Sequence, residues 1–241
     1  MSNIICNAHK KLLTWLKENT FKAKVKAWSY SRYSDYKKCP FMFARKHLVK
    51  EEQEPVFAMI RGNKIHKLAE EFVKGNITGM PKELVEFSQE FKELKRAMAL
   101  TEVDLTVTRG WNPTHTKDWN NAWCRGRGDS LVVFPINAIV IDYKTGGIYP
   151  EPHEEQAEIM SALTLAHNPE IETVDAELWY LDKADTLNFT YTAKQLKAIM
   201  KKWEKNVAPM FTDKEFKPTP SVNNCHFCPF NNKGKCIYVE K

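Results

Sequence analysis

The stretch WCRGRGDSLVVFPINAIVIDYKTGG, residues 123–147, decides the fold. It reads as two β-strands. The first is apolar and alternating over residues 130–134, and the second, residues 138–143, is a short run rich in Ile and Val. Between them lie Phe134, Pro135, Ile136 and Asn137, where Pro and Asn favour a reversal of the chain. With the turn there, facing positions sum to 271, and Asp129 stands opposite Asp142. Facing residues of an antiparallel pair bring their Cβ atoms to about 5 Å. Lys144 follows Asp142 by two positions, so it projects from the same face.

Two carboxylates and an ammonium are thus expected at one end of a buried hairpin. Carboxylates that close repel unless a cation lies between them. Hard divalent cations that prefer oxygen ligands, Mg²⁺ or Mn²⁺, suit such a pair. The plainer alternative is an ordinary hairpin with polar ends, in which Lys144 neutralises one Asp. The apolar strand leading into Asp142 and the small exit Thr145-Gly146-Gly147 weigh against it.

Upstream, residues 7–18 form a short amphipathic helix with Leu12, Leu13 and Leu16 on one side. Lys22, Lys24 and Lys26 follow as a solvated linker or a phosphate contact. Ser34 is expected to cap a helix over residues 37–48 that Pro40 must open or break. Residues 55–75 read as a strong helix with Gly62, His66 and Glu70 on one face and Ile65, Leu68, Ala69 and Phe72 on another. Gly62 points to close approach of another backbone. His66 alone is more often structural than metal-ligating.

A helix over residues 81–98 begins at Pro81, and residues 100–108 alternate as a strand. Glu102 and Asp104 on that strand are read as its polar face. The loop of residues 109–121 carries Trp111 and Trp119, which either stack on bases or lie buried under the sheet. Downstream come a helix over residues 152–167 carrying Gln156, strands over 172–181 and 187–191, and a helix capped by Thr192 that ends near Pro209. This order predicts an α/β fold with a central mixed β-sheet flanked by helices.

At 241 residues, 43% of them hydrophobic and 27% charged, the chain suits a soluble globular protein. No apolar run reaches the ~20 residues of a membrane span, and the N-terminus lacks the apolar core of a signal peptide, so a cytoplasmic location is expected. A net charge of +6 and seven Trp fit a polyanionic partner without requiring one. In such a compartment the six Cys are not expected to form disulfides. Cys6 and Cys124 stand apart, Cys39 lies in a Lys-Lys-Cys-Pro context, and Cys225, Cys228 and Cys236 cluster.

The ordered series Gly62-x₃-His66, Gly126-x₂-Asp129, Asp142-Tyr143-Lys144-Thr145-Gly146 and Gln156 resembles the PD-(D/E)xK nuclease superfamily. The nearest branch is RecB-like, related to CRISPR adaptation nucleases and phage exonucleases. Ser29-Tyr30-Ser31-Arg32 and Lys38-Cys39-Pro40 add to the likeness, which runs over residues 28–238. It implies one domain with a restriction-endonuclease-like core. Residues 1–98 would be mainly helical and carry Cys39 and His66, residues 99–210 would form the nuclease core, and residues 211–241 would be a Cys-rich segment.

The resemblance further implies that His66, Asp129, Asp142 and the peptide carbonyl of Tyr143 hold Mg²⁺ or Mn²⁺. Lys144 would activate the attacking water, and Gln156 would hold that water or the phosphate. Where the family often has Tyr four residues after this Gln, Met160 stands here. Cys39, Cys225, Cys228 and Cys236 would bind a [4Fe-4S] cluster of mainly structural role, with Zn²⁺ as the alternative.

The implied function is a metal-dependent deoxyribonuclease, an exonuclease of recombination, repair or phage DNA metabolism. Its substrate would be DNA with single-stranded or end character, with a protein partner in recombination or replication. The alternatives are an endonuclease or spacer-processing nuclease on the same fold, or a non-catalytic nucleic-acid-binding module.

Overall fold

The structure is a computed structural model that describes residues 7–18, 24–53, 55–226, 228–231 and 236. Cys6, Lys22 and the side chain of Leu16 lie outside the described residues. In chain order the elements are α1 (Asn7–Glu18), α2 (Tyr30–Lys38), α3 (Pro40–Phe43), a π-helical turn (Ala44–Val49) and α4 (Phe57–Val73). A 3₁₀ turn (Lys82–Phe87), α5 (Ser88–Arg96), β1 (Leu100–Val107), β2 (Cys124–Val133) and β3 (Asn137–Lys144) follow. The chain continues with α6 (Pro150–His167), β4 (Thr173–Tyr180), β5 (Asp185–Thr192), α7 (Ala193–Thr212) and α8 (Val222–His226). Among the described residues, no helix is long and apolar enough to cross a membrane.

The chain forms two compact units, Met1–Glu54 with Glu204–Lys241, and Pro55–Trp203. In the first, Ser29 rather than Ser34 caps α2, its Oγ accepting the Arg32 N–H at 3.3 Å. The expected helix over residues 37–48 is divided at Cys39, whose φ of −160° and ψ of 106° are extended. A residue before proline is pushed out of the α region, and Pro40 then opens α3 at its first turn. Lys50, left-handed at φ 57°, ends the π turn. Phe43 and Phe216 stack at 6.1 Å within this unit.

The second unit is built on a mixed sheet of order β1-β2-β3-β4-β5, with β3 and β4 parallel and the other neighbours antiparallel. A parallel pair needs a crossover, and α6 supplies it between β3 and β4. One sheet face packs under α4, the 3₁₀ turn and α5, where Ile65, Phe72, Leu84, Phe91, Ile141, Tyr143 and Trp179 are buried together. Phe91 lies 5.1 Å from the Tyr143 ring and 5.4 Å from that of Trp179. Such ring pairs each add about 0.5–1.5 kcal/mol beyond their buried area. The helix expected over residues 81–98 begins instead as the 3₁₀ turn and becomes α-helical only at Ser88. Across the other face, α6 lies on Gly126 and Gly128: a Cβ added to Gly126 would meet Leu163 and Met160 at 2.5 and 2.8 Å, and one added to Gly128 would meet Met160 at 3.4 Å.

Candidate active site

The hairpin register sums to 271 throughout: Ser130 faces Ile141, Leu131 faces Val140, Val132 faces Ile139 and Val133 faces Ala138. The Phe134 N–H bonds the Asn137 carbonyl at 2.8 Å and closes the turn. The ladder stops at Ser130 and Ile141, one step short of Asp129 and Asp142.

On the other side of β2, pairing with β1 sums to 231 on both flanks of Glu102 and Asp129 but skips these two. Glu102 sits at φ 52°, a left-handed conformation that costs about 1–2 kcal/mol for a residue with a Cβ. Side-chain alternation is reset there. Gly126 and Gly128 look at α6, whereas Ser130 bonds the Tyr143 hydroxyl at 2.7 Å on the α4 and α5 side. The paired Asp carboxylates therefore sit where the sheet has opened on both edges of β2.

Asp129, 9% exposed, uses its two oxygens separately. Oδ1 lies 3.0 Å from His66 Nδ1, and Oδ2 accepts the backbone N–H of Tyr143 at 2.6 Å. His66 comes from α4, one turn beyond Gly62. A Cβ on Gly62 would stand 3.2 Å from Thr145 Oγ1, so this glycine admits a side-chain hydroxyl rather than a backbone. Burial alone would pull the His66 imidazole below its ordinary value. The bond to Asp129, with Asp142 and Glu102 nearby, outweighs that and leaves it raised.

Glu102 completes a group in which one donor atom each of His66, Glu102 and Asp129 lies within 4.8 Å of the others. Burial, then the Asp129 carboxylate, pushes Glu102 above the ordinary carboxylate range, against Arg127 at 3.4 Å. The polar-face reading of Glu102 missed this. Its one sequence signal was its place on the strand before the Gly-Asp motif.

Asp142, Lys144 and Gln156 form a second network. Asp142 Oδ1 accepts from Gln156 Nε2 at 2.7 Å, and Lys144 Nζ donates to Gln156 Oε1 at 2.7 Å. Lys144 Nζ is also 2.6 Å from Asp142 Oδ2. That contact is an ion pair without hydrogen-bond direction, so among the described residues the buried Oδ2 receives no well-aligned donor. Burial raises the Asp142 carboxyl, Asp129 adds to this, and Lys144 opposes it. The backbone of Tyr143 links the two networks.

His153, one turn before Gln156 on α6, was also overlooked. Its Nδ1 accepts the Tyr149 N–H at 3.4 Å and pairs with the Tyr180 hydroxyl. Burial, then Lys144, lowers it to about 4, so the ring is a neutral acceptor near pH 7. The spacing His-x₂-Gln on a helix was the available signal. Met160 packs against Gly126 and Gly128.

In the first unit, Cys39, Cys225, Cys228 and Cys236 line one cavity with Phe41, Arg45 and Phe230. Burial, and then the nearby Cys236, Cys39 and Cys225, raise the Cys228 thiol against the Phe230 backbone bond. Cys124, in the other unit, is fully buried and its thiol is pushed well up by desolvation. Of the two loop tryptophans, Trp111 is buried at 4% and Trp119 is 67% exposed.

Among curated proteins, none matches the sequence. Among solved structures, the chain is similar to a "Putative exonuclease" from Eubacterium rectale. The TM-score is 0.53 at 13% identity, covering 100% of this chain and 95% of that one. At that identity the likeness concerns the fold. SSO0001 aligns with TM-score 0.42 and 15% identity over 97% and 96% of the two chains. The sequence also matches the profile of the PD-(D/E)XK nuclease superfamily over residues 27–232. With most of its length inside that match, the chain belongs to the PD-(D/E)XK nuclease superfamily, whose fold acts on nucleic acid.

Proposed function

We propose that this nuclease is a metal-dependent deoxyribonuclease that degrades DNA from its ends. The observation that carries the metal reading is the divided use of Asp129 between His66 and the Tyr143 N–H, with Glu102 in ligand range. This donor set, one imidazole and carboxylate oxygens, suits a hard divalent cation, Mg²⁺ or Mn²⁺. The buried Asp142 Oδ2, which lacks an aligned donor among the described residues, fits the same purpose.

His66, Asp129, Asp142 and the Tyr143 carbonyl would hold the cation. When bound, it would lower the pKa of water and screen the phosphate charge. Lys144 is held by Gln156 and Asp142, and its ammonium would face the attacked phosphate. There it would orient the water and stabilise developing negative charge. Gln156 bridges Asp142 and Lys144 and fixes both, leaving neither free to swing. Removal of phosphate-linked units from an end is the reading that the resemblance of the motifs favours.

In the first unit, Cys39, Cys225, Cys228 and Cys236 would hold a [4Fe-4S] cluster. Four thiols around one cavity supply its ligand set, and the buried Arg45 guanidinium on the same cavity suits an anionic group, although it is also paired with Glu51 at 2.6 Å. Its contribution would be structural, joining thiols from both ends of the sequence.

The test is digestion of end-labelled linear and covalently closed circular DNA, single- and double-stranded, with Mg²⁺ or Mn²⁺. Mononucleotides or short products from linear DNA, with circles intact, are expected. Cleavage of closed circles would replace the exonuclease reading with an endonuclease, and no cleavage by well-folded protein would overturn the catalytic reading. Iron, sulfide and zinc analysis after anaerobic purification tests the cluster. Iron and sulfide near four each are expected for a [4Fe-4S] centre, and one zinc without iron would refute it.

A further inference from the structure

Trp119 is the loop tryptophan that the core does not use. The loop holding it is nevertheless well anchored. The Asp118 carboxylate accepts from Thr114 Oγ1 at 2.8 Å and from the Asn121 backbone N–H at 3.1 Å, and the Ala122 N–H bonds the Asp118 carbonyl at 2.9 Å. Trp111 and Trp123 are buried edge to face at 5.6 Å. Yet the Trp119 indole is 67% exposed on this braced loop. Leaving an indole that open forgoes much of the stabilisation that burial of a large apolar side chain returns.

Arg125 of β2 lies against that indole, its guanidinium carbon 4.4 Å from the ring centroid. Among the described residues, the Nε of Arg125 has no hydrogen-bond partner. Because Gly126 and Gly128 look at α6, Arg125 and Arg127 project from the opposite side of β2. Arg127 on that side reaches Glu102 at 3.4 Å, and Glu102 belongs to the His66 and Asp129 group. Arg125 therefore shares a sheet face with the candidate active site, four residues or about 13 Å along β2 from Asp129.

We propose that Trp119 and Arg125 form a nucleotide subsite for single-stranded nucleic acid. The indole stacks on one base, and the guanidinium holds a phosphate of the same strand several nucleotides from the one at Asp129. Single-stranded substrate is specified because a base inside a duplex cannot offer its face to a side chain. Arg is suited to both contacts, since its plane packs on the ring while its edge N–H groups remain free to bond phosphate. The proposal rests on the nuclease reading only for the strand's direction of approach.

The test uses the full-length protein and a fluorescent oligothymidylate of about a dozen residues, with binding read by anisotropy in EDTA. A matched oligomer whose sugars carry no bases serves as the second probe. Trp119→Ala is expected to weaken oligothymidylate binding about tenfold, within the range found for loss of one base stack, and Trp119→Phe to keep most of the affinity. On the baseless oligomer, Trp119→Ala should bind as the parent does. Arg125→Ala should weaken both probes and reduce the dependence of log Kd on log salt by about one. Thermal unfolding of Trp119→Ala should match the parent, since the ring is mostly in solvent.

Hydrolysis of bis(p-nitrophenyl) phosphate, too small to span both places, should be unchanged in either variant. Parental affinity of Trp119→Ala for oligothymidylate, or an equal loss on the baseless oligomer, would overturn the subsite. If the parent hydrolyses neither DNA nor the small ester while Trp119-dependent binding persists, the catalytic reading fails and the subsite stands.

Discussion

Replacing Asp129 in two ways separates its structural task from its chemical one. Its Oδ2 is the acceptor for the Tyr143 N–H in a buried setting, at 2.6 Å. Asp129→Ala deletes that acceptor and leaves the N–H without a partner, which costs about 1–3 kcal/mol. For a unit of about 150 residues this is a fall in melting temperature of about 2–4 °C per kcal/mol. Asp129→Asn keeps a carbonyl oxygen that can accept the same N–H, and it removes one negative charge from beside Glu102, whose carboxyl that charge helps to raise. Its melting temperature without metal should therefore lie above that of the Ala variant. Both variants should lose nuclease activity. They should also lose the stabilisation by cation that the parent shows, about 1.4 kcal/mol at a concentration ten times its Kd. Differential scanning fluorimetry with and without Mn²⁺, alongside a nuclease assay, reads all three quantities. An Asn variant as destabilised as the Ala variant would refute the hydrogen-bond assignment. An Asn variant that remains active and cation-stabilised would refute the metal assignment.

Lys144→Ala should abolish turnover while DNA binding persists, and Gln156→Ala should lower kcat by a smaller factor, because Gln156 bonds Lys144 and Asp142 and so positions them; single-turnover rates at saturating DNA check the order. Gly126→Ala should destabilise the protein by about 1–3 kcal/mol, since the new Cβ would meet Leu163 Cδ1 at 2.5 Å and Met160 Sδ at 2.8 Å. Met160→Ala in the same chain should return part of that loss in urea unfolding. Asp35 bonds His47 and Lys46 at 2.7 and 2.8 Å. Burial would raise its carboxyl, but these two partners outweigh burial and hold it below the ordinary range. A depressed folded-state pKa gives stability that is present above the unfolded value near 3.9 and lost as pH falls through the folded value. Asp35→Asn should therefore melt lower than the parent above pH 4, by about 1 kcal/mol, with the gap closing under more acidic conditions. A gap that stays constant down to pH 2 would show that charge is not its source.

The hairpin was legible because its information is local. Strand period, the Phe134-Pro135-Ile136-Asn137 turn and a register sum of 271 all follow from neighbouring residues, and the observed pairs keep that sum. The mixed sheet follows from the alternation of strands with a crossover helix. Helix ends were less legible. Ser29 and Ser34 are both competent caps, and the choice fell to Ser29 because Cys39, ahead of Pro40, had to leave the helix. Likewise α7 runs past Pro209 to Thr212, since a proline near a helix end forfeits few hydrogen bonds.

By itself, then, the sequence nominated the residues of the candidate site: Asp129, Asp142 and Lys144 by strand spacing, and His66 and Gln156 by the resemblance of ordered motifs. Only the tertiary structure decided how they group. Asp129 meets His66 and Glu102, while Asp142 meets Lys144 and Gln156. Glu102 enters through a left-handed residue at a skipped pair, and two tryptophans of one loop part company, Trp111 into the core and Trp119 into solvent. The physical reason is that period and turn chemistry act between neighbours in the chain, whereas burial, the parting of β2 from its partners and the meeting of carboxylates depend on elements distant in sequence packing around them.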